Sequence, residues 1–214
     1  GCRQTVGEAH RCELQSVEKP EQMSAADAGK NYYAFDLESM LIRQGDKYLH
    51  QVNLIVLRQC FAKNVEWVFE NLEQFVYWME SQTVACTLFA HNLKGYDGRI
   101  VFDYLFEKHI PPQEMVWRGS KIMKMIYGKI SFQDTLLHLP ASLAQLPAMF
   151  GLDEREFKKG FFPYKFNTPE NQKYVGEIPP MDYYEPERMP AKKREEFLKW
   201  YGEQSGPYNF HNEL

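Results

Sequence analysis

The 214-residue chain is 44% hydrophobic and 15% aromatic, enough to bury one sizeable core or two small ones. Its 29 acidic residues outnumber 25 basic ones for a formal charge of -4, so no global positive field draws it to nucleic acid and any such partner must be met by local patches. No run of about eighteen apolar residues occurs, the first residues lack a signal-peptide core, and four cysteines at 2, 12, 60 and 86 are too few and scattered for a disulfide framework. The expectation is an intracellular protein with reduced thiols, nuclear if its host is eukaryotic, with no membrane segment.

Residues 1–30 are polar and aperiodic and read as a flexible tail. From Tyr32 the pattern changes. "YYAFDLE", "KYLHQVNLIVLRQC" and "NVEWVF" read as three strands. Asn71, three residues before Gln74, opens a helix carrying Phe75, Tyr77, Trp78 and Met79. "CTLFA" is a buried fourth strand, and "GRIVFDYLFEKH" places Ile100, Val101, Tyr104 and Leu105 on one helical face that Pro111 and Pro112 terminate. "MVWRG", "KIMKMIYG" and "KISFQDTL" follow as strands, and "ASLAQLPAMFGL" as a short helix closing at Gly151. Beyond Gly160, prolines and tyrosines without a period predict an extended segment clamped over the sheet, ending in a helix that opens at Pro190 and presents Phe197 and Trp200. The order predicts an α/β protein, a mixed sheet flanked by helices, with one domain over 31–214.

Asp36 and Glu38, two apart on a strand, share a face and suit a hard cation. A solvated strand end is the alternative for a lone pair of this kind. Asp97 begins a helix directly after a buried strand, where loops from neighbouring strands converge. A third carboxylate there completes the kind of cluster used for two-metal phosphodiester hydrolysis. Asn92 and Tyr96 add a hydrogen-bonding group and a stacking ring suited to a single-stranded end.

"YYAFDLES" resembles the first exonuclease motif, and "HNLKGYDG" the second, of the proofreading domain of family B DNA polymerases. The spelling of the second, with "ISFQDTLLHLPASLAQLPAMFGL" after it, is similar to the protein-primed branch of phages, linear plasmids and Maverick/Polinton transposons. "KKGFFPYKFNTPENQKYVGEIPPMDYY" and "KKREEFLKWY" resemble its transposon members, so the likeness spans roughly residues 31–214.

The resemblance implies a ribonuclease-H-like fold binding two Mg²⁺ or Mn²⁺ ions, with Asp36 bridging them, Glu38 on one and Asp97 in the shell of the second. It implies a single-stranded DNA 3′ end as substrate, touched by Asn92, Tyr96, Thr135 and Leu136, with Leu139 packing behind. Lys159 is implied as the cation near the scissile phosphate with Phe162 behind it, and Lys158 is its rival by one position. A terminal protein and a polymerase domain are the implied partners. In the family a Tyr-x-x-x-Asp motif completes the metal site. None follows residue 130 here, and Asp182 is the last aspartate. The expectation is therefore a chain that stops short of that motif and, alone, has little or no exonuclease activity. The other reading is a non-catalytic transposon-derived remnant or domesticated module that binds nucleic acid or a protein.

Cys2, His10 and Cys12 are three ligands without a fourth, so no zinc is expected. Lys192, Lys193 and Arg194 are neutralised by Glu195 and Glu196 and read as a solvated helix face.

Overall fold

The computed structural model describes residues 31–62, 65–152 and 160–214. Strand β1 (Tyr32–Gln44) turns at Gly45, whose φ is +62°, into β2 (Lys47–Gln59), and the two pair antiparallel from Tyr33 opposite Gln59 to Gln44 opposite Lys47. The hairpin thus runs well past the "YYAFDLES" stretch that the apolar pattern marks. Strand β3 (Glu66–Phe69) extends it, and helix α1 (Leu72–Glu80) follows. Asn71 caps α1 by accepting the Gln74 amide at 3.0 Å, as the spacing predicts, but the Gln74 side chain reaches back to the Glu70 amide rather than to that of Asn71.

Strand β4 (Cys86–Ala90) lies parallel to β1. Helix α2 (Asp97–Glu107) then leads to the antiparallel strands β5 (Glu114–Arg118), β6 (Lys121–Tyr127) and β7 (Ile130–Asp134), and β7 returns parallel to β4. The seven-stranded order is β3-β2-β1-β4-β7-β6-β5. A mixed sheet with a parallel centre and antiparallel flanks is the predicted α/β class. The predicted helix in "ASLAQLPAMFGL" is a 3₁₀ turn at Leu143–Gln145 running into α3 (Leu146–Met149).

The core follows from the period-2 alternation. Tyr33, Phe35 and Leu37 of β1, Ile55 and Leu57 of β2, Leu88 of β4 and Phe132 of β7 are buried together against Phe75 and Met79 of α1 and Val101 and Leu105 of α2. Phe35 meets the rings of Phe75 and Phe132, each at 5.7 Å. The alternation turns Asp36 and Glu38 to the opposite side of β1 from Leu37.

The predicted extended clamp is a correction. Residues 161–214 fold into 3₁₀ turns, a two-stranded ribbon of β8 (Val175–Gly176) with β9 (Tyr208–Asn209), helix α4 (Ala191–Glu203) and helix α5 (Phe210–Glu213). Their aromatics pack largely on one another: Phe166 on Tyr183 at 5.0 Å, Phe161 on Phe197 and Tyr184 on Phe197 at 5.2 Å, and Phe162 on Phe210 at 5.5 Å. The predicted final helix is present as α4 and supplies Phe197, but residues 161–184 show no sequence period because short turns bring their rings to it.

Polar side chains join the two parts. At Glu38/Ser39 the β1–β2 register shifts so that Asn53 is an extra residue between the Leu54 and Val52 pairs, a bulge of the kind that re-aims side chains beside functional sites. Asn53 donates to the Asn167 and Gln172 carbonyls, both at 2.8 Å, and buried Asn167 donates to the Ser39 carbonyl at 3.2 Å.

Candidate active site

The loop between β4 and α2 is held at several points. Leu93 is fully buried and its carbonyl accepts the Gly98 amide at 2.9 Å. A Cβ at Gly98 would lie 2.9 Å from that carbonyl oxygen, so glycine is required where the helix passes the loop. Asn92 adopts φ +67°, a left-handed conformation that asparagine tolerates, and its side chain fills the space a Cβ on Gly95 would occupy.

Asp134, 1% exposed at the end of β7, is the anchor. Its Oδ1 accepts the amides of Asn92 and Leu136, both at 2.9 Å, and its Oδ2 accepts the Lys94 amide at 3.2 Å. One carboxylate thereby ties the β4 loop to the turn after β7. His91 makes a second tie, with Nε2 on the Ala141 carbonyl at 2.9 Å and Nδ1 on Thr135 Oγ1 at 3.0 Å. The carbonyl can only accept, so Nε2 carries the proton, and in the neutral ring Thr135 donates to Nδ1.

This frame delivers Asp97 to the flank of β1. Asp97 is 4% exposed, and its Oδ1 has no hydrogen-bond partner among the described residues. Burial, then the neighbouring Asp36 charge, push its carboxyl up to about 7, with a smaller contribution from Glu38 against partial relief from its own and the Leu37 backbone. Tyr96 sits over the same charges. Burial raises its phenol most, hydrogen bonding to Ser39 opposes that, and Glu38, Asp97 and Asp36 raise it further. Asp36 is exposed and Glu38 half-buried. The three acidic residues therefore act on one another and on Tyr96, although among the described residues no three His, Cys, Asp or Glu side chains are gathered to hold one metal ion.

The remaining predicted residues are distributed as follows. Asn92 is exposed on the loop, and Tyr96 is 36% exposed beside the acids. The Thr135 hydroxyl, expected against DNA, is half-buried, and the Ala90 carbonyl at 3.3 Å competes with His91 for its one proton. Leu136 is half-buried one residue further on, with its amide on Asp134. Leu139 is half-buried and its amide closes on the Thr135 carbonyl. Phe162 belongs to the second core, against Tyr164 and Phe210. Lys158 and Lys159 lie outside the described residues, as do Cys2, His10 and Cys12. Sequence reasoning missed Asp134, His91 and Ser39. Of these only Asp134 left a signal, an acidic residue closing the apolar strand "ISF" and heading a 3₁₀ turn that it caps. Among the described residues no helix is long and apolar enough to cross a membrane.

The chain is similar to known proteins in fold and in sequence. The fold is similar to that of phi29 DNA polymerase in an orthorhombic crystal form, with TM-score 0.51 and 16% identity over 78% of this chain and 28% of that one. It is similar too to phi29 DNA polymerase complexed with primer-template DNA and incoming nucleotide substrates, with TM-score 0.50 at the same identity and coverage. Over 165 residues, 70% of the chain, the sequence is 31% identical to a probable DNA polymerase of Ascobolus immersus, of whose length that match covers 13%. The model of the family described as DNA polymerase type B, organellar and viral, matches residues 78–214, and the chain belongs to that family.

Proposed function

We propose that these residues form the 3′–5′ proofreading exonuclease part of a protein-primed family B DNA polymerase, acting on frayed single-stranded 3′ ends. What supports the reading is the Asp97 carboxyl, which is buried, feels the charge of Asp36 and less that of Glu38, and keeps one oxygen without a hydrogen-bond partner among the described residues. Such a grouping is costly unless a cation offsets it. All three donors are carboxylates, the hard-oxygen set that suits Mg²⁺ or Mn²⁺. Asp36 and Glu38 would hold the divalent ions from β1 and Asp97 from α2. The ions, when bound, lower the pKa of water and neutralise phosphate charge.

The chain's own groups position the substrate. Asn92, with its backbone fixed by Gly95 and Asp134, presents its amide at the loop surface. Tyr96 offers a ring for the terminal nucleotide, and Lys159 is assigned to the scissile phosphate by resemblance. Hydrolysis breaks the last phosphodiester, joins a water oxygen to phosphorus and returns the 3′ oxygen as a hydroxyl on the shortened strand. A terminal protein and a polymerase domain are the proposed partners, the former by resemblance alone.

The test is binding of a fluorescent single-stranded oligonucleotide with a free 3′ hydroxyl, titrated with Mn²⁺. The expected result is affinity that rises about tenfold or more with Mn²⁺ in the wild-type protein and stays flat in Asp36→Ala and Asp97→Ala. Binding that ignores both Mn²⁺ and Asp36→Ala would refute the exonuclease reading.

A further inference from the structure

His50, at the far end of β2 from the sheet's core, is unexplained by anything above. It pairs across the ladder with Leu41, which makes it a diagonal neighbour of Ser39, itself paired with Val52. Its Nδ1 lies 2.8 Å from Ser39 Oγ and 3.2 Å from the Tyr96 hydroxyl, and Ser39 Oγ lies 2.5 Å from that same hydroxyl. The His50 and Tyr96 rings also meet edge to face, 5.5 Å apart at 81°. Three polar side chains from β1, β2 and the β4–α2 loop thus close a triangle on the rim of the acidic site.

Two hydroxyl protons and one ring nitrogen must satisfy this triangle. Tyr96 donating to Ser39, and Ser39 to an unprotonated His50 Nδ1, uses each proton once along the two shortest contacts. That chain leaves the phenol oxygen's lone pairs open, and the edge contact with His50 fixes the plane of the ring. A Tyr96 held by Ser39 alone would keep rotation about its own side chain.

We infer that His50 is a positioning residue: through Ser39 and by ring contact it locks Tyr96 in one orientation, so that the terminal nucleotide of a single strand meets a pre-set aromatic face. The inference deepens the proposed exonuclease reading and rests on it. Immobilising a side chain before binding removes an ordering cost from the binding step, and for one aromatic ring that corresponds to about threefold to tenfold in affinity. On this account His50 acts through Tyr96 and does not meet the substrate.

The experiment uses the 214-residue protein and a fluorescein-labelled single strand of roughly ten nucleotides with a free 3′ hydroxyl, read by anisotropy with Ca²⁺ as the divalent ion. His50→Leu is expected to weaken binding about threefold to tenfold. His50→Asn, whose amide oxygen can take the Nδ1 place against Ser39 but which lacks the ring contact, is expected to restore part of the loss. In a Tyr96→Ala background His50→Leu is expected to add nothing further, the mark of two residues acting as one. Because His50 is exposed, the melting temperature of each variant should match the wild type, and it is measured in parallel. Wild-type affinity in His50→Leu, when Tyr96→Ala is weak, overturns the inference while leaving the exonuclease reading intact. Equal losses in His50→Leu and His50→Asn, or additive losses with Tyr96→Ala, overturn it too. Wild-type protein that does not bind, or Tyr96→Ala that binds as well as wild type, refutes the strand contact itself.

Discussion

Replacing Asp134 tests the frame on which the site stands. Its two oxygens accept three backbone amides, those of Asn92, Lys94 and Leu136, and the side chain is 1% exposed. In Asp134→Ala all three donors lose their partner. A buried donor left unmet costs about 1–3 kcal/mol, and because the loop is half open to water the lower end applies to each, giving about 3–4 kcal/mol in all. Asp134→Asn with its amide oxygen in the Oδ1 place keeps the Asn92 and Leu136 bonds and sets an NH₂ against Lys94, for about 1–2 kcal/mol. At about 2–4 °C per kcal/mol for a chain of this size, melting temperatures should fall by roughly 10 °C and roughly 4 °C. Urea unfolding followed by tryptophan fluorescence gives the free energies, and amide exchange at Asn92, Lys94 and Leu136 should accelerate selectively. If both variants lose less than about 0.5 kcal/mol, or exchange rises evenly across the sheet, Asp134 is not the anchor described.

Asp97 should make the metal-free protein more stable in mild acid. Its folded carboxyl, at about 7, lies above its ordinary value, so the stabilisation is complete below the unfolded pKa and is lost as pH rises through about 7. Melting scans from pH 8 to pH 5.5 should show wild type gaining stability by about 2 kcal/mol, the part of the shift that lies between about 7 and pH 5.5, whereas Asp97→Asn should start more stable at pH 8 and stay level. A wild type whose stability falls over that range contradicts the buried, repelled carboxyl. Asn167→Leu should unhitch the aromatic second core from the bulge by removing its bonds to Asn53 and Ser39, at about 2–3 kcal/mol. Limited proteolysis should then cut within 161–214 before the sheet is touched, and simultaneous loss of both parts would show that the amides are not the joint.

How much of this was legible in the chain depended on whether a signal was local. The strands around Phe35, Leu57, Leu88 and Phe132 announce themselves by alternation, and their order was enough to predict the mixed sheet. Asp36 and Glu38 are legible because two carboxylates on one strand face need a reason, and Asp97 because it follows a strand that must be central. Thr135 carries a tie its motif does not announce, since its hydroxyl meets His91, 44 residues earlier. His50 is invisible, since nothing in "KYLHQVNL" tells that Ser39 and Tyr96 will meet it. The same holds for residues 161–184, whose rings meet through turns, whereas the helix after Pro190 is legible from Phe197 and Trp200 on one face.

The extra residue at Asn53 has one more consequence. Because Asn53 has no Cα partner on β1, deleting it would leave the Glu38–Leu54, Ser39–Val52 and Leu41–His50 pairs in place and turn the bulge into a regular ladder. The sheet would keep its register but lose the amide that grips Asn167. The one unpaired position of β2 is therefore given over to fastening the aromatic cap rather than to the sheet itself.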